Sequence, residues 1–553
     1  MKKHLFLTLF LVVLMFSLVG CETGGSETVT LDAPTGFKIE NETLLFNENE
    51  NANSYICEVT PAGGAAKTVT VKNGDKIDVL KLNNGEYSLR LKAVGANGAE
   101  SGWSEAITFV KKTKLASPKG LSLDDGYVFF NVIAATSEYV IKFESGETVI
   151  ERSVDAGTPI AELVIPEGTY QVSVKAKADK EGYIDSDYSE AIEYTKVGSV
   201  MEFKEKALVS GGYIKWMGRT YYDEENKVNR VYHSASGFEL FFKGSEVVAT
   251  ITATNSTSAS ARPCIVIVID DDFTNAKTVF LDKPTQDVVL VSGNTDAQEH
   301  KIDLYKRSES IDSHIGITSI RTDGVFIQKI VNKELKLEFI AASSSTGYGN
   351  LGNPNSAGKT TENSDALKGF AFLTAQALNA EVSIFSASGW GCAASQWTSP
   401  NNLNVPDAYD YVDFSSYRNK TESEKWSAGK YIPDVVVVNL GTNDWSYINA
   451  ATSQAEKDNR MNAFQRKYIQ FLEHLHEVYP DAQIIVLYGL MNETNIYDAT
   501  QNIVSAAQAK IPNLAIIQII GDGMGYNSHP SAASHQVIAN KLTAFIEELL
   551  GEK

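Results

Sequence analysis

The sequence predicts a multidomain chain: two β-sandwiches in tandem, a β jelly-roll, and a C-terminal three-layer α/β/α domain built on a parallel sheet. Three observations carry this expectation. Two early segments repeat the same blocks, the next stretch alternates apolar and polar residues between frequent turns, and from Lys336 short continuous apolar runs alternate with helical stretches. The 553 residues allow about three to five domains at roughly 100–200 residues each. A hydrophobic share of 43% is enough for each to bury a core.

The chain opens with Lys2 and Lys3 before an apolar run over residues 5–19, shorter than the roughly 20 residues of a membrane span. Residues 1–21 therefore read as a signal peptide. Its end, Leu18-Val19-Gly20-Cys21, is similar to the lipobox of bacterial lipoproteins. That resemblance implies a lipid on Cys21, attachment to a membrane through it, and residence in the bacterial cell envelope, surface-exposed or periplasmic. Residues 22–31 read as a polar tether. Within 32–112, Gly85-Glu86-Tyr87-Ser88-Leu89-Arg90-Leu91 precedes Trp103-Ser104-Glu105-Ala106-Ile107; within 113–197, Gly168-Thr169-Tyr170-Gln171-Val172-Ser173-Val174 precedes Tyr188-Ser189-Glu190-Ala191-Ile192. The duplicated unit resembles fibronectin type III sandwiches. It is read as a spacer, with Trp103 and Tyr188 as packing aromatics rather than sugar platforms.

Residues 198–333 continue in β alternation, as in Gly237-Phe238-Glu239-Leu240-Phe241-Phe242, and supply the jelly-roll. In 334–553 the apolar runs Leu337-Glu338-Phe339-Ile340, Val382-Ser383-Ile384-Phe385, Val435-Val436-Val437-Val438, Ile484-Ile485-Val486-Leu487 and Ala515-Ile516-Ile517-Gln518-Ile519 have the form of strands covered on both faces. Helices are expected over 364–378, 453–478 and 532–550. Ligands of such sheets sit beyond the carboxyl ends of the strands. There lie Ser343 in Ala341-Ala342-Ser343-Ser344-Ser345, the glycines of Ser388-Gly389-Trp390-Gly391, Asn443 in Gly441-Thr442-Asn443-Asp444, and His529 in Asn527-Ser528-His529-Pro530. Together they offer a nucleophile, oxyanion donors and a general base.

The four blocks in this order resemble the SGNH (GDSL-like) hydrolases. With Ile214-Lys215-Trp216-Met217-Gly218-Arg219 and Lys306-Arg307-Ser308-Glu309 upstream, residues 200–553 are similar to carbohydrate esterase family two, in which a jelly-roll precedes an SGNH domain that removes acetyl groups from plant-wall polysaccharides such as xylan and mannans. The resemblance implies Ser343 as nucleophile, His529 as base, an oxyanion hole from Asn443, the Ser343 amide and the amide of Gly389 or Gly391, and Trp445 as an aromatic wall for substrate. Two positions depart from the SGNH pattern. Ala341-Ala342 replaces the usual Gly-Asp, leaving Ser344 and Ser345 to hold the serine loop. Tyr526 stands where most SGNH enzymes carry the triad aspartate, so a backbone carbonyl is expected to orient His529, as in the dyad esterases; Asp522 is the alternative orienter.

Lys+Arg 49 against Asp+Glu 69 gives a formal charge of -20, which argues against nucleic acid as a partner and for a neutral substrate. Cys21, Cys57, Cys264 and Cys392 have no zinc spacing. His474, His476, His535 and Asp270-Asp271-Asp272 take structural readings, so neither metal nor organic cofactor is expected. The expected activity is hydrolysis of acetyl esters on a polysaccharide or oligosaccharide through an acyl-enzyme. The alternatives are a non-catalytic carbohydrate-binding protein on a decayed esterase fold, and an esterase or lipase acting on non-sugar esters.

Overall fold

The computed structural model describes residues 31–197, 201–397, 404–413 and 424–551. The leader and Cys21 lie outside the described residues. The chain is multidomain and rich in antiparallel sheet ahead of a C-terminal parallel sheet. It divides into two compact units, one taking residues up to 118 with 132–139 and 175–188, the other 119–131, 140–174 and everything from 189. Residues 113–197 are thus shared between units, because Thr113–Lys114 pairs in parallel with Tyr183–Ile184 inside the first.

The first unit carries a four-stranded sheet in the order Lys67–Val71, Ala52–Pro61, Gly85–Gly95, Ile107–Lys111, beside the hairpin of Thr35–Glu40 and Thr43–Asn47. Leu44, Cys57, Leu89 and Leu91 fill its core. The duplication reaches into the hydrogen bonding: the Tyr87 hydroxyl donates to the Asn83 carbonyl at 3.1 Å, and the Tyr170 hydroxyl of the second repeat to Pro166 at 2.9 Å, each four residues back. Trp103 lies under Arg90 and Lys92, 4.8 and 4.9 Å from the ring centre, so its face is covered by its own sheet.

In the second unit, residues 201–327 form two six-stranded antiparallel sheets over a core that includes Phe238, Leu240, Ile265, Ile302 and Ile317. The parallel domain follows, with β1 (Lys336–Ala341), β2 (Glu381–Ser386), β3 (Val435–Asn439), β4 (Gln483–Tyr488) and β5 (Leu514–Gln518) in the order β2-β1-β3-β4-β5. Alternate residues feed opposite faces. Val435 and Val437 pack with α1 (Phe370–Ala377) and α5 (Ala532–Gly551), while Val436 and Val438 pack with α3 (Gln454–Val478) and α4 (Tyr497–Ala507). α1 begins later than expected because residues 366–368 form a 3-10 turn and Gly369 is extended. α4 and the short α2 (Thr442–Asn449) were not among the expected helices; α2 starts directly at a strand end.

A buried ion pair joins the 201–327 region to the parallel sheet. The Arg219 guanidinium, 1% exposed, donates to Glu338 in the middle of β1 at 3.1 Å and to the Tyr411 carbonyl at 3.0 Å, and lies against the rings of Phe385 and Tyr409. Ser383 and the Tyr409 hydroxyl satisfy the rest of the carboxylate. Removing one partner leaves a buried charge. Arg219→Met should therefore lower unfolding stability by about 3–5 kcal/mol, and adding Glu338→Leu should recover part of the loss; denaturant unfolding of the three proteins checks this.

Candidate active site

Ser343 begins a 3-10 turn, Ser343–Thr346, where β1 ends. The turn is fastened without the usual Gly-Asp. The Ser345 hydroxyl reaches the Ala342 carbonyl at 3.1 Å and the Ser386 hydroxyl at 2.5 Å, tying β1 to the end of β2, and the Thr346 hydroxyl donates to the Ser343 carbonyl at 2.9 Å. Of the two serines expected to hold the loop, Ser345 forms these bonds; Ser344 lines the adjoining cavity.

His529 Nε2 lies 2.7 Å from Ser343 Oγ. Its Nδ1 lies 3.1 Å from the carbonyl oxygens of both Tyr526 and Asn527. Carbonyls only accept, so the ring carries its proton on Nδ1 and turns the Nε2 lone pair to the serine. The preceding turn makes this possible by an uncommon backbone: Asn527 (φ 51°) and Ser528 (φ 59°) are consecutive non-glycine residues in the left-handed region, at a cost of about 1–3 kcal/mol each. Gly349 (φ 61°) lets the serine loop approach this turn, since a Cβ there would stand 2.6 Å from that of Tyr526. Its carbonyl accepts the Tyr526 amide at 3.0 Å.

The imidazole is 5% exposed and stacks on Tyr348, ring centres 4.4 Å apart. Burial holds its pKa below the ordinary histidine value, against the opposing pull of the Asn527 and Tyr526 carbonyls and the Glu309 charge. Glu309, from the segment after His300–Lys306, pairs with Lys359 at 2.8 Å and accepts the Ser388 amide at 3.3 Å. Lys359 in turn lies over the Tyr348 ring.

Asn443, in the first turn of α2, donates one Nδ2 hydrogen to the Trp390 carbonyl at 2.9 Å, leaving its second for the cavity it lines with Ser343. Beside it, Asp444 is 1% exposed and accepts the amides of Cys392, Ala393 and Ala394 at 2.8, 2.7 and 3.0 Å. Burial pushes this carboxyl up to about 6 despite those three donors. Asp444 thereby pins the loop after β2 onto the loop after β3, a role that the Gly-Thr-Asn-Asp motif alone does not disclose.

The two glycines differ. Gly391 is buried in that pinned turn, its hypothetical Cβ 2.0 Å from the Ala394 carbonyl oxygen. Gly389 (φ 80°) is half-buried beside Trp397, which lines the Ser343 cavity.

Two expectations are corrected. Trp445 does not line the cavity; two residues beyond Asn443 on a helix, it faces elsewhere, against the α3 side of the core with Lys457 over its ring. Among the described residues, the tryptophan that lines the cavity is Trp397, 67% exposed. Asp522 does not orient His529: its carboxylate accepts the Ser531 amide at 2.9 Å, the Ser531 hydroxyl and the Met524 amide. It fastens the entrance to α5. Elsewhere, His535 accepts the Phe370 amide at 3.1 Å, and Asp270 and Asp271 bond His300 and Lys301. Cys392 is a fully buried thiol whose pKa burial drives well upward. Glu493, on the loop after β4, also lines the cavity and was not read from the sequence.

Two measurements test this geometry. Asp522→Asn should change kcat by less than about tenfold, whereas loss of a triad aspartate costs on the order of 10⁴. A depressed His529 pKa keeps the imidazole unprotonated to lower pH than usual, so the acid limb of kcat/KM should fall below pH 6.5; a rate profile over pH locates it.

Residues 216–328 match the family model described as Carbohydrate esterase 2 N-terminal. The chain is 30% identical over 329 residues to Cellulase/esterase CelE of Acetivibrio thermocellus, a match taking in 58% of this chain and 37% of that protein. It is 21% identical over 356 residues to an Acetylxylan esterase / glucomannan deacetylase of Cellvibrio japonicus, 64% of this chain and 93% of the relative. Thus it spans little more than a third of the first relative and most of the second. Among solved structures, a family two carbohydrate esterase from Clostridium thermocellum in complex with cellohexaose aligns at 26% identity and TM-score 0.53, covering 61% of this chain and 99% of that one. The acetyl xylan esterase Est2A from Butyrivibrio proteoclasticus aligns at 21% and 0.56, covering 64% and 99%. Over residues 216–328 by sequence, and over 61–64% of its length by fold, the chain is similar to the family two carbohydrate esterases.

Proposed function

We propose that the protein is a carboxylic ester hydrolase that removes acetyl groups from a neutral polysaccharide or its oligosaccharides. One observation carries this: a buried imidazole, held at Nδ1 by two carbonyls, with its Nε2 2.7 Å from a serine hydroxyl that opens on a cavity of about 270 Å³. The named activities of the relatives support the acetyl and polysaccharide parts of the reading. The formal charge of -20 favours an uncharged substrate.

The reaction follows from the geometry. Ser343 Oγ attacks the ester carbonyl while its proton passes to His529 Nε2; the imidazolium is stabilised at Nδ1 by the Tyr526 and Asn527 carbonyls. The tetrahedral oxyanion is taken by the free Nδ2 hydrogen of Asn443, the Ser343 amide and the Gly389 amide, Gly389 being preferred to the buried Gly391. The bond from the carbonyl carbon to the sugar oxygen breaks, and that oxygen takes the proton from His529. Water then repeats the attack on the acetyl-serine, with His529 again as base, and acetate leaves.

Acetate release from acetylated xylan and acetylated glucomannan tests the reading. Ser343→Ala and His529→Ala should each lose most of the turnover, and their double variant should be no worse than the poorer single, because the pair acts as a unit. Asn443→Ala should lose about 10²–10³ in kcat. Wild-type turnover by Ser343→Ala would overturn the assignment.

A further inference from the structure

The mechanism above leaves one ionisable group of the cavity without a task. Glu493 shares the cavity wall with Ser343, His529, Asn443, Met491 and Trp397. Its Oε2 is buried and makes no hydrogen bond among the described residues. No Lys or Arg is among the described residues lining that cavity, and Glu493 is its one carboxyl. A carboxyl cannot serve as an oxyanion donor while ionised, since its charge opposes the one that develops there. Nor does it touch the base, whose second nitrogen is already held by carbonyls. A buried acceptor without a donor is costly until a donor arrives; none of the hydroxyls and amides that share the wall bonds to this oxygen, so it stands open to a donor brought by the substrate. An acetyl methyl group or an acyl chain offers none. A sugar ring offers a hydroxyl on the carbon next to the ester.

We infer that Glu493 is a specificity-determining residue that accepts a hydrogen bond from a free hydroxyl of the substrate's sugar ring, close to the ester that Ser343 attacks. The inference rests on the proposed esterase function and narrows it to esters of polyols that keep a free neighbouring hydroxyl. Trp397, exposed at the same wall, offers the apolar face of such a ring a flat surface. Burial raises the Glu493 pKa; whether the group is ionised or protonated, it retains an oxygen that accepts from a hydroxyl. In its ionised form it also disfavours substrates carrying a carboxylate near the ester.

The test compares two small probes, a methyl xyloside bearing one acetyl group beside a free hydroxyl and the same xyloside fully acetylated. The wild type should prefer the monoacetate by about tenfold or more in kcat/KM, in keeping with a hydrogen bond to a carboxyl group. Glu493→Leu should reduce that preference to within about threefold, with Glu493→Gln between the two because its amide oxygen still accepts. Glu493→Gln, nearly isosteric, serves if the leucine variant does not fold. A preference that is absent in the wild type, or unchanged in both variants, overturns the inference. Ser343→Ala assayed alongside separates the two layers: if it hydrolyses both probes like the wild type, the nucleophile assignment fails, whereas the Glu493 assignment stands or falls on the ratio alone.

Discussion

The site depends on one hydrogen bond, Ser343 Oγ to His529 Nε2, which closes across 186 residues of chain. The sheet makes that closure demanding. Ser343 leaves β1, and His529 arrives after β5, three places away in the order β2-β1-β3-β4-β5, or about 15 Å at roughly 4.8 Å per strand. The segment between β5 and α5 has to recross that distance, and several contacts hold it there. The Gly349 carbonyl takes the Tyr526 amide, Asn350 takes the Ala532 amide, and α5 packs with α1 on the face below β1. Because the dyad is spanned by the whole parallel domain, the buried Arg219–Glu338 pair that enters the middle of β1 is part of what keeps the serine in register.

His529, the proposed base, has no carboxylate at its back. Two carbonyl dipoles hold Nδ1 instead, obtained by placing Asn527 and Ser528 in left-handed backbone. A carbonyl fixes the tautomer as a carboxylate does but contributes less charge to the imidazolium. A negative charge near the ring comes from Glu309, which also holds the Ser388 amide in the loop after β2. The region before the parallel domain therefore reaches the candidate site through Glu309, and both regions belong to one compact unit.

Much of this was legible in the sequence, for a definable reason. Strands covered on both faces produce continuous apolar runs, and the chemistry of such a sheet lies where the runs end, so Ser343, Asn443 and His529 could be located from local pattern. What escaped was set by contacts distant in sequence or by helix geometry. Trp445 looked apt beside Asn443, yet α2 begins at Thr442 and neighbours two apart on a helix point in different directions. Trp397 carries no motif. Glu493 follows the apolar run that ends at Leu487, but it stands five residues beyond the end of the strand at Tyr488 and so escaped a rule that reads only the residues next to a strand end. Asp444 sits inside a recognisable motif, yet its bonds to residues 392–394 appear only when the loops after β2 and β3 meet. Asp522 was the nearest acid to His529 in sequence and is held instead by Ser531 and Met524.

The claim that most needs a direct test is that Ser343 becomes covalently acylated with His529 as its base. Rapid quenching of the wild-type protein during turnover of a chromogenic acetate, followed by digestion and mass spectrometry, reports it. The account predicts an acetyl group on the peptide containing Ser343, absent from Ser343→Ala. Steady turnover by the wild type with no acetyl group on that peptide, or an acetyl group on another residue that keeps pace with turnover, would contradict it.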